Sequence, residues 1–313
     1  MNRIFERRGI AARDGGKKEV VKERIKIGVV GCSRGAGASF VATSLAYYIA
    51  QHTERKAAYV QVEDGKHDVY DALGMDKRFI GREFADFYAL LAEGKKIKDK
   101  ENIDEHINWA LRIPDECKFA SNKKCTDVYK SILKDTGKSH SVNRTYRAYK
   151  DYKANGAYNL SVDMYRDTVK LPEIVYQRLI NNIAGDVVIC DFGSDEKREL
   201  YSDMDEIICV IDPMPSKLLG ASEIISYIKS MQLKGQNVIY IINKDNPGVN
   251  RRELADFLRI RDTYTIPFID ASLIYSSQYN CEIPAGNPKI SKIINKVFEK
   301  IISDCLHSNV IFL

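Results

Sequence analysis

The chain has 313 residues, 44% of them hydrophobic and 29% charged, with 48 Lys/Arg against 43 Asp/Glu for a formal net charge of +5. This length can bury a full core as one large domain or two small ones. There is no run of about 18 apolar residues, which excludes a membrane-spanning helix. The charged start MNRIFERRGIAARDGGKKEVVKERIK lacks the apolar stretch of a signal peptide, so a cytoplasmic protein is expected. The seven cysteines, Cys32, Cys117, Cys125, Cys190, Cys209, Cys281 and Cys305, form no CxxC pair, and several lie in apolar strand-like runs. There a thiol acts as a small hydrophobe, and neither disulfides nor zinc are expected.

Residues 1–24 carry eight Lys/Arg against four acids with no steady period and read as a flexible basic arm. After it, IKIGVVG reads as a buried strand and ASFVATSLAYYIAQ as a helix. KAAYVQVE and INWALRI are the next strands, followed by DVVICDFG and EIICVID, the helix SKLLGASEIISYIKSM, and the strands NVIYIIN and YTIPFI. Strands alternating with helices imply an α/β fold, a doubly wound, mostly parallel sheet with helices on both faces. Residues 25–313 read as a single domain. It is interrupted at about 115–170 by a basic, Tyr-rich insertion, whose stretch from Cys117 to Lys170 holds twelve Lys/Arg and five Asp/Glu. No internal repeat is present.

Between the first strand and the first helix lies GVVGCSRGAGASF, Gly28 to Phe40. A phosphate-binding loop works because glycines let successive backbone N–H groups face an anion at a helix N-terminus. A lysine adds charge and a Ser/Thr hydroxyl holds magnesium. Gly35 and Gly37 permit the turns, Ser39 stands at the hydroxyl position, and a helix from Ala38 supplies the dipole, but Ala38 occupies the lysine position. Read alone, the loop is either an anion cradle without its charge or a glycine-rich turn that binds nothing.

Together with VVICDFGS, IINKDNPG and IPFIDASLIYSSQYNCEIPA, this loop resembles the ParA/MinD family of P-loop ATPases, whose deviant loop reads KGGxGK[ST]. The resemblance covers most of residues 25–304 and is strongest in the first strand and loop and from 172 onward. Within the superfamily the loop looks most like the TadZ/CpaE group, which helps to place pilus-assembly machinery. Aligned on Gly37, the family's two lysines fall on Ser33 and Ala38, its Thr on Ser39 and its middle glycines on Arg34 and Gly35. The implied nucleotide-contacting set is Arg34, Gly35, Ala36, Gly37, Ala38, Ser39 and Phe40. To these the resemblance adds Asn243 at the adenine and the Pro267 to Asp270 turn bordering the base. The family's paired acids fall on Gln61 and Glu63, so one is an amide. Asp191 matches the switch carboxylate, with Gly193 beside it, and Ser39 and Asp191 would hold magnesium if it binds.

Phosphoryl transfer depends on positioning and charge stabilisation, and one cation at the phosphates can be worth on the order of a thousandfold in rate. The resemblance therefore implies weak ATP or ADP binding, with or without Mg, and poor hydrolysis. Asn243 alone reads equally as a strand-end turn residue. Arg34 reads either as a substitute cation or as a solvated loop arginine. The resemblance also implies a homodimer across the loops, formed with little regard to nucleotide, and protein partners in a localisation or assembly machine recruited to a membrane-associated complex. A slow but genuine ATPase and a DNA-binding partition-like protein are the alternatives. Nucleic acid would be bound through 115–170, where lysines and tyrosines can contact phosphates and stack on bases. Gly137, Lys138 and Ser139 spell the end of a Walker motif, but Ile132 stands at the first glycine and no strand precedes it. That segment reads as a polar loop. Related tyrosine kinases need working Walker motifs, and related iron-sulfur scaffolds carry a CxxC; both are absent.

Overall fold

A computed structural model describes residues 24–62, 68–97, 100–113, 171–194, 197–260 and 262–305. The basic arm before residue 24, the 115–170 insertion with Gly137, Lys138 and Ser139, and Glu63 lie outside the described residues. The strands are β1 (Ile25–Gly31), β2 (Ala57–Gln61), β3 (Ile103–Asp104), β4 (Ile107–Ala110), β5 (Val187–Asp191), β6 (Glu206–Ile211), β7 (Asn237–Asp245) and β8 (Tyr264–Pro267). They form one sheet in the order β3-β4-β2-β5-β1-β6-β7-β8. Every pairing is parallel except that of β3 with β4.

A parallel sheet covered on both faces needs strands that are apolar throughout, and β5 and β6 are buried at every position. On one face lie α1 (Ala38–His52), α2 (Asp68–Ala72), α3 (Met75–Arg78) and α10 (Pro288–Cys305), closing a core that includes Leu45, Tyr59, Trp109, Ile189, Ile208 and Phe298. On the other lie α4 (Phe87–Ala92), α5 (Glu173–Asn182), α6 (Pro215–Gly220), α7 (Ser222–Leu233) and α8 (Arg251–Leu258), around Val60, Tyr176, Phe192, Tyr201, Cys209 and Ile225. A further helix, α9 (Ala271–Tyr279), follows β8.

Helical spacing explains these contacts. In α10, Ile290, Ile294, Phe298 and Ile301 recur every three or four residues and are all buried, while Lys289, Lys292, Lys296 and Lys300 face out. Full burial of each such side chain stabilises by about 1.5–3 kcal/mol. The α1 helix ends where Thr53 turns extended and both its N–H and its hydroxyl bond to the carbonyl of Ile49.

Two features depart from the sequence reading. The expected helix over 216–231 is two helices: α6 ends at Gly220, and Ala221 separates it from α7. Glycine's low helix propensity makes that junction. The β3–β4 hairpin was not expected either. Its two-residue turn, Glu105 and His106, has φ of 50° and 63°, a conformation that the glycine or asparagine of a recognisable hairpin turn normally supplies. The hairpin is held instead by its surroundings. Arg78 and Arg82 both pair with Asp104, and buried Asn102 donates to the carbonyls of Ala85 and Trp109.

Among the described residues no helix is long and apolar enough to cross a membrane. Cys32, Cys190 and Cys209 are buried thiols in no disulfide, the first and last with sulfurs 3.0 Å apart, and burial pushes the Cys190 thiol up to about 12.

Candidate functional site

In this strand order β1 connects towards β2 on one side while β6 connects towards β7 on the other. The crevice at the carboxyl ends of β1 and β6 is thus a topological switch point, where open α/β sheets bind ligands. The segment 32–37 emerges there. Gly31 donates to the carbonyl of Gly193 at 2.7 Å, and Cys32 to that of Val210 at 2.9 Å. A Cβ on Gly31 would lie 3.0 Å from the Gly193 oxygen, so a side chain there would require the crossing to open by a few tenths of an ångström. The turn itself closes with Ala36 N–H on Ser33 carbonyl at 3.0 Å, and Gly35 and Gly37 take φ of +78° and +95°.

Gly37 caps α1 without any side-chain bond, and the first turn contains no acid. The first amides of a helix have no intrahelical partner and carry the positive end of its dipole, so this end favours an anion. Ala36 and Ala38 are buried, Ser39 and Phe40 half-buried, and Arg34 and Gly35 exposed. The carbonyl of Ser39 accepts from the Thr43 hydroxyl at 2.7 Å.

Residues that sequence reasoning missed hold the outer side of this loop. Lys217, from α6, donates to the Arg34 carbonyl at 3.0 Å, and Lys244, at the end of β7, donates to the Gly35 carbonyl at 2.5 Å. Asn243 donates to the Ala36 carbonyl at 2.8 Å and is buried against Gly37, where a Cβ would come within 2.3 Å of its amide nitrogen. Its amide nitrogen is thus engaged by the loop. Lys244 also pairs with buried Asp212 at 2.9 Å, and Asp212 accepts the Met214 N–H at 3.1 Å. The available signal was position: Asp212 and Lys244 are charged residues ending apolar strands beside the switch point.

The acidic side is arranged differently. Asp191 is buried; one carboxylate oxygen accepts the Tyr59 hydroxyl at 2.6 Å and the other the Gly193 N–H at 3.0 Å. Gln61 is also buried and accepts the Arg112 N–H at 3.2 Å through its side-chain oxygen. At the far edge, Pro267 is exposed and ends β8, and the Phe268 N–H bonds to the carbonyl of Asp245 at 2.7 Å. Asp270 is exposed and caps α9 by accepting the Ser272 N–H at 2.7 Å; its bonds to Ser272 hold its carboxyl below the usual range.

The donor sets fit the two groups of a magnesium nucleotide unequally. Phosphate fits: a helix start with no side-chain cap, two left-handed glycines and carbonyls already taken up by Lys217, Lys244 and Asn243 leave amides for an anion. For magnesium only one carboxylate of the expected pair is described: Asp191 accepts one bond on each oxygen and keeps further lone pairs, while Gln61 is an amide. Among the described residues no cluster of three or more His, Cys, Asp or Glu could hold a metal.

No protein-family model matches the chain, and no curated protein matches it. Solved structures do. The septum site-determining protein MinD of Pyrococcus horikoshii, complexed with Mg-ADP, is similar at TM-score 0.55 and 15% identity, over 91% of this chain and 97% of that one. A putative plasmid partition protein of Borrelia burgdorferi bound to AMPPNP gives TM-score 0.54 at 14% identity, over 89% and 99%. The MinC:MinD cell division complex of Aquifex aeolicus gives 0.52 at 14%, over 90% and 96%. At these identities the likeness is one of architecture, and the chain has the α/β P-loop fold of the ParA/MinD ATPases.

Proposed function

We propose that this chain is a ParA/MinD-like positioning or scaffold protein that binds ATP or ADP weakly through residues 34–40 and hydrolyses it poorly or not at all. The observation that carries this reading is the contrast within one loop. The backbone of an anion cradle is kept by Gly35 and Gly37, while Ser33 and Ala38 bring no charge to it. Structural neighbours named for bound Mg-ADP and AMPPNP support nucleotide as the ligand, and the MinC:MinD neighbour supports a protein partner. In this reading the Pro267 to Asp270 turn borders the base and Asn243 contacts the adenine, while its amide nitrogen also braces the loop at Ala36. Magnesium, where present, is held weakly by Ser39 and Asp191, since Gln61 stands where a second acid would help. A homodimer across the loops, and service to a membrane-associated assembly such as a pilus machine, belong to the same reading.

The test is calorimetric titration with ADP and ATP beside a magnesium-dependent phosphate-release assay on the wild type and Gly37→Ala. Weak binding that Gly37→Ala abolishes, with release at background, is the expected result. Magnesium-dependent turnover that disappears in Gly37→Ala would establish the slow-ATPase alternative instead.

A further inference from the structure

Four successive carbonyls of the loop are each held by a donor. Ser33 accepts from the Ala36 N–H, Arg34 from Lys217, Gly35 from Lys244 and Ala36 from Asn243. A peptide unit's N–H and C=O point in opposite directions. Fixing the carbonyls of Arg34 and Ala36 therefore also fixes the amides that follow them, those of Gly35 and Gly37, on the opposite side of their peptides, while the Ala36 N–H is taken up by the Ser33 carbonyl. In an anion nest such amides are the binding groups. Two of the three side-chain donors are ammonium groups, and a charged donor on a carbonyl polarises the peptide behind it as well as holding it. The Lys244 ammonium is itself held in place. Its backbone takes φ of 63°, and its charge is shared between Gly35 and the buried carboxylate of Asp212.

The geometry points to Lys217 and Lys244 as positioning residues of the phosphate loop. From outside they pre-set its amides for a ligand carrying adjacent phosphates, replacing in part the cations missing at Ser33 and Ala38. The ligand class rests on the nucleotide reading given above; the positioning itself does not. Lys244 has two partners and Lys217 one exposed bond, so Lys244 carries the larger share.

The experiment uses the full chain and the variants Lys244→Met, Lys244→Arg, Lys217→Met and the double Met variant. It combines peptide-level hydrogen exchange over 33–40 without nucleotide, titration with ADP, and urea unfolding as a control for global stability. Loss of a charged hydrogen bond corresponds to about a tenfold change. Lys244→Met should thus exchange about tenfold faster in the loop and bind ADP about tenfold more weakly. Lys217→Met should show about threefold effects, and Lys244→Arg should restore both readouts. Exchange over 33–40 that is unchanged in the double Met variant overturns the inference, whether or not ADP binds. Faster exchange in the variants with no ADP binding by the wild type supports the positioning role and overturns the nucleotide reading. If Lys244→Met does not fold, Lys217→Met at its exposed site and the Arg variant decide by the same two readouts.

Discussion

The two flanks of the 32–37 loop use similar polar groups for opposite ends. On the β6–β7 flank, Asn243 and Lys244 at the end of β7 reach the loop, and Asp212 just beyond β6 fixes Lys244 beside it. On the β2–β5 flank, strand-end residues reach one another: Tyr59 and Gly193 occupy Asp191, and Gln61 ties β2 to the chain after β4. One flank braces the carbonyls of the loop, and the other ties its strand ends together around Asp191. A loop can retain binding while chemistry is lost because the two depend on different neighbours. Backbone amides and shape suffice for the first, whereas the second needs ionised groups free to act.

The sharpest way to break the first flank is Gly37→Ala. A methyl group at φ of +95° is strained, and the added Cβ would lie 2.3 Å from the Asn243 amide, displacing its bond to the Ala36 carbonyl. Backbone strain plus one lost buried hydrogen bond predicts a destabilisation of about 2–3 kcal/mol by urea unfolding. Gly35→Ala is the internal comparison. Its φ of +78° imposes strain, but its Cβ would meet nothing within 4 Å, so about 1 kcal/mol is expected. Equal losses in the two variants would mean that Asn243 does not brace the loop.

The other flank is addressed by Tyr59→Phe, which removes the 2.6 Å hydroxyl bond to Asp191 and leaves the ring in place against Trp109. A buried carboxylate deprived of a donor predicts a loss of about 1–2 kcal/mol in stability. ADP affinity should stay within about twofold of wild type, since sites without shared partners behave additively. Should Tyr59→Phe weaken ADP as severely as Gly37→Ala, the two flanks are one coupled network and the separation drawn above fails.

Much of this was legible in the sequence because parallel strands buried on both faces leave continuous apolar runs; seven of the eight strands were read, six from such runs and the edge strand β8, buried only at Ile266, from the shorter run YTIPFI. The eighth, β3, is two residues long and turns through Glu105 and His106, so neither length nor turn chemistry marked it. In the loop, Gly35, Gly37 and the helix start were readable because they form a local pattern. Lys217 and Lys244 were not, because their contacts with Arg34 and Gly35 span 183 and 209 residues of sequence. Asn243 was legible as a strand-end polar residue and, through the resemblance, as an adenine contact. Sequence spacing does not show that its amide turns inward to Ala36 rather than outward.

The smallest expected effect sharpens the comparison by asking what a buried acid does without a partner. Asp191 has a hydroxyl and an amide, and Asp212 has an ammonium. Glu206, at the amino end of β6, is buried and forms no ion pair among the described residues; it lines a cleft of about 380 Å³ with Gln232, Gln236 and Asn237. Burial, with Asp205 adding like charge, pushes its carboxyl from 4.5 up to about 7. The folded chain therefore holds a proton there that the unfolded chain releases near 4.5. The contribution to stability is full below about 4.5 and is lost as the pH rises through about 7. Because the cleft admits some water, the change is on the order of 1 kcal/mol rather than the full value of the shift. Replacing the acid with a neutral amide of the same shape removes the ionisation, so Glu206→Gln should flatten the slope of urea-unfolding stability between pH 5 and 7 and raise stability at pH 7.5. A slope that persists unchanged in Glu206→Gln would assign the pH dependence to another group and show that Glu206 is solvated enough to ionise freely.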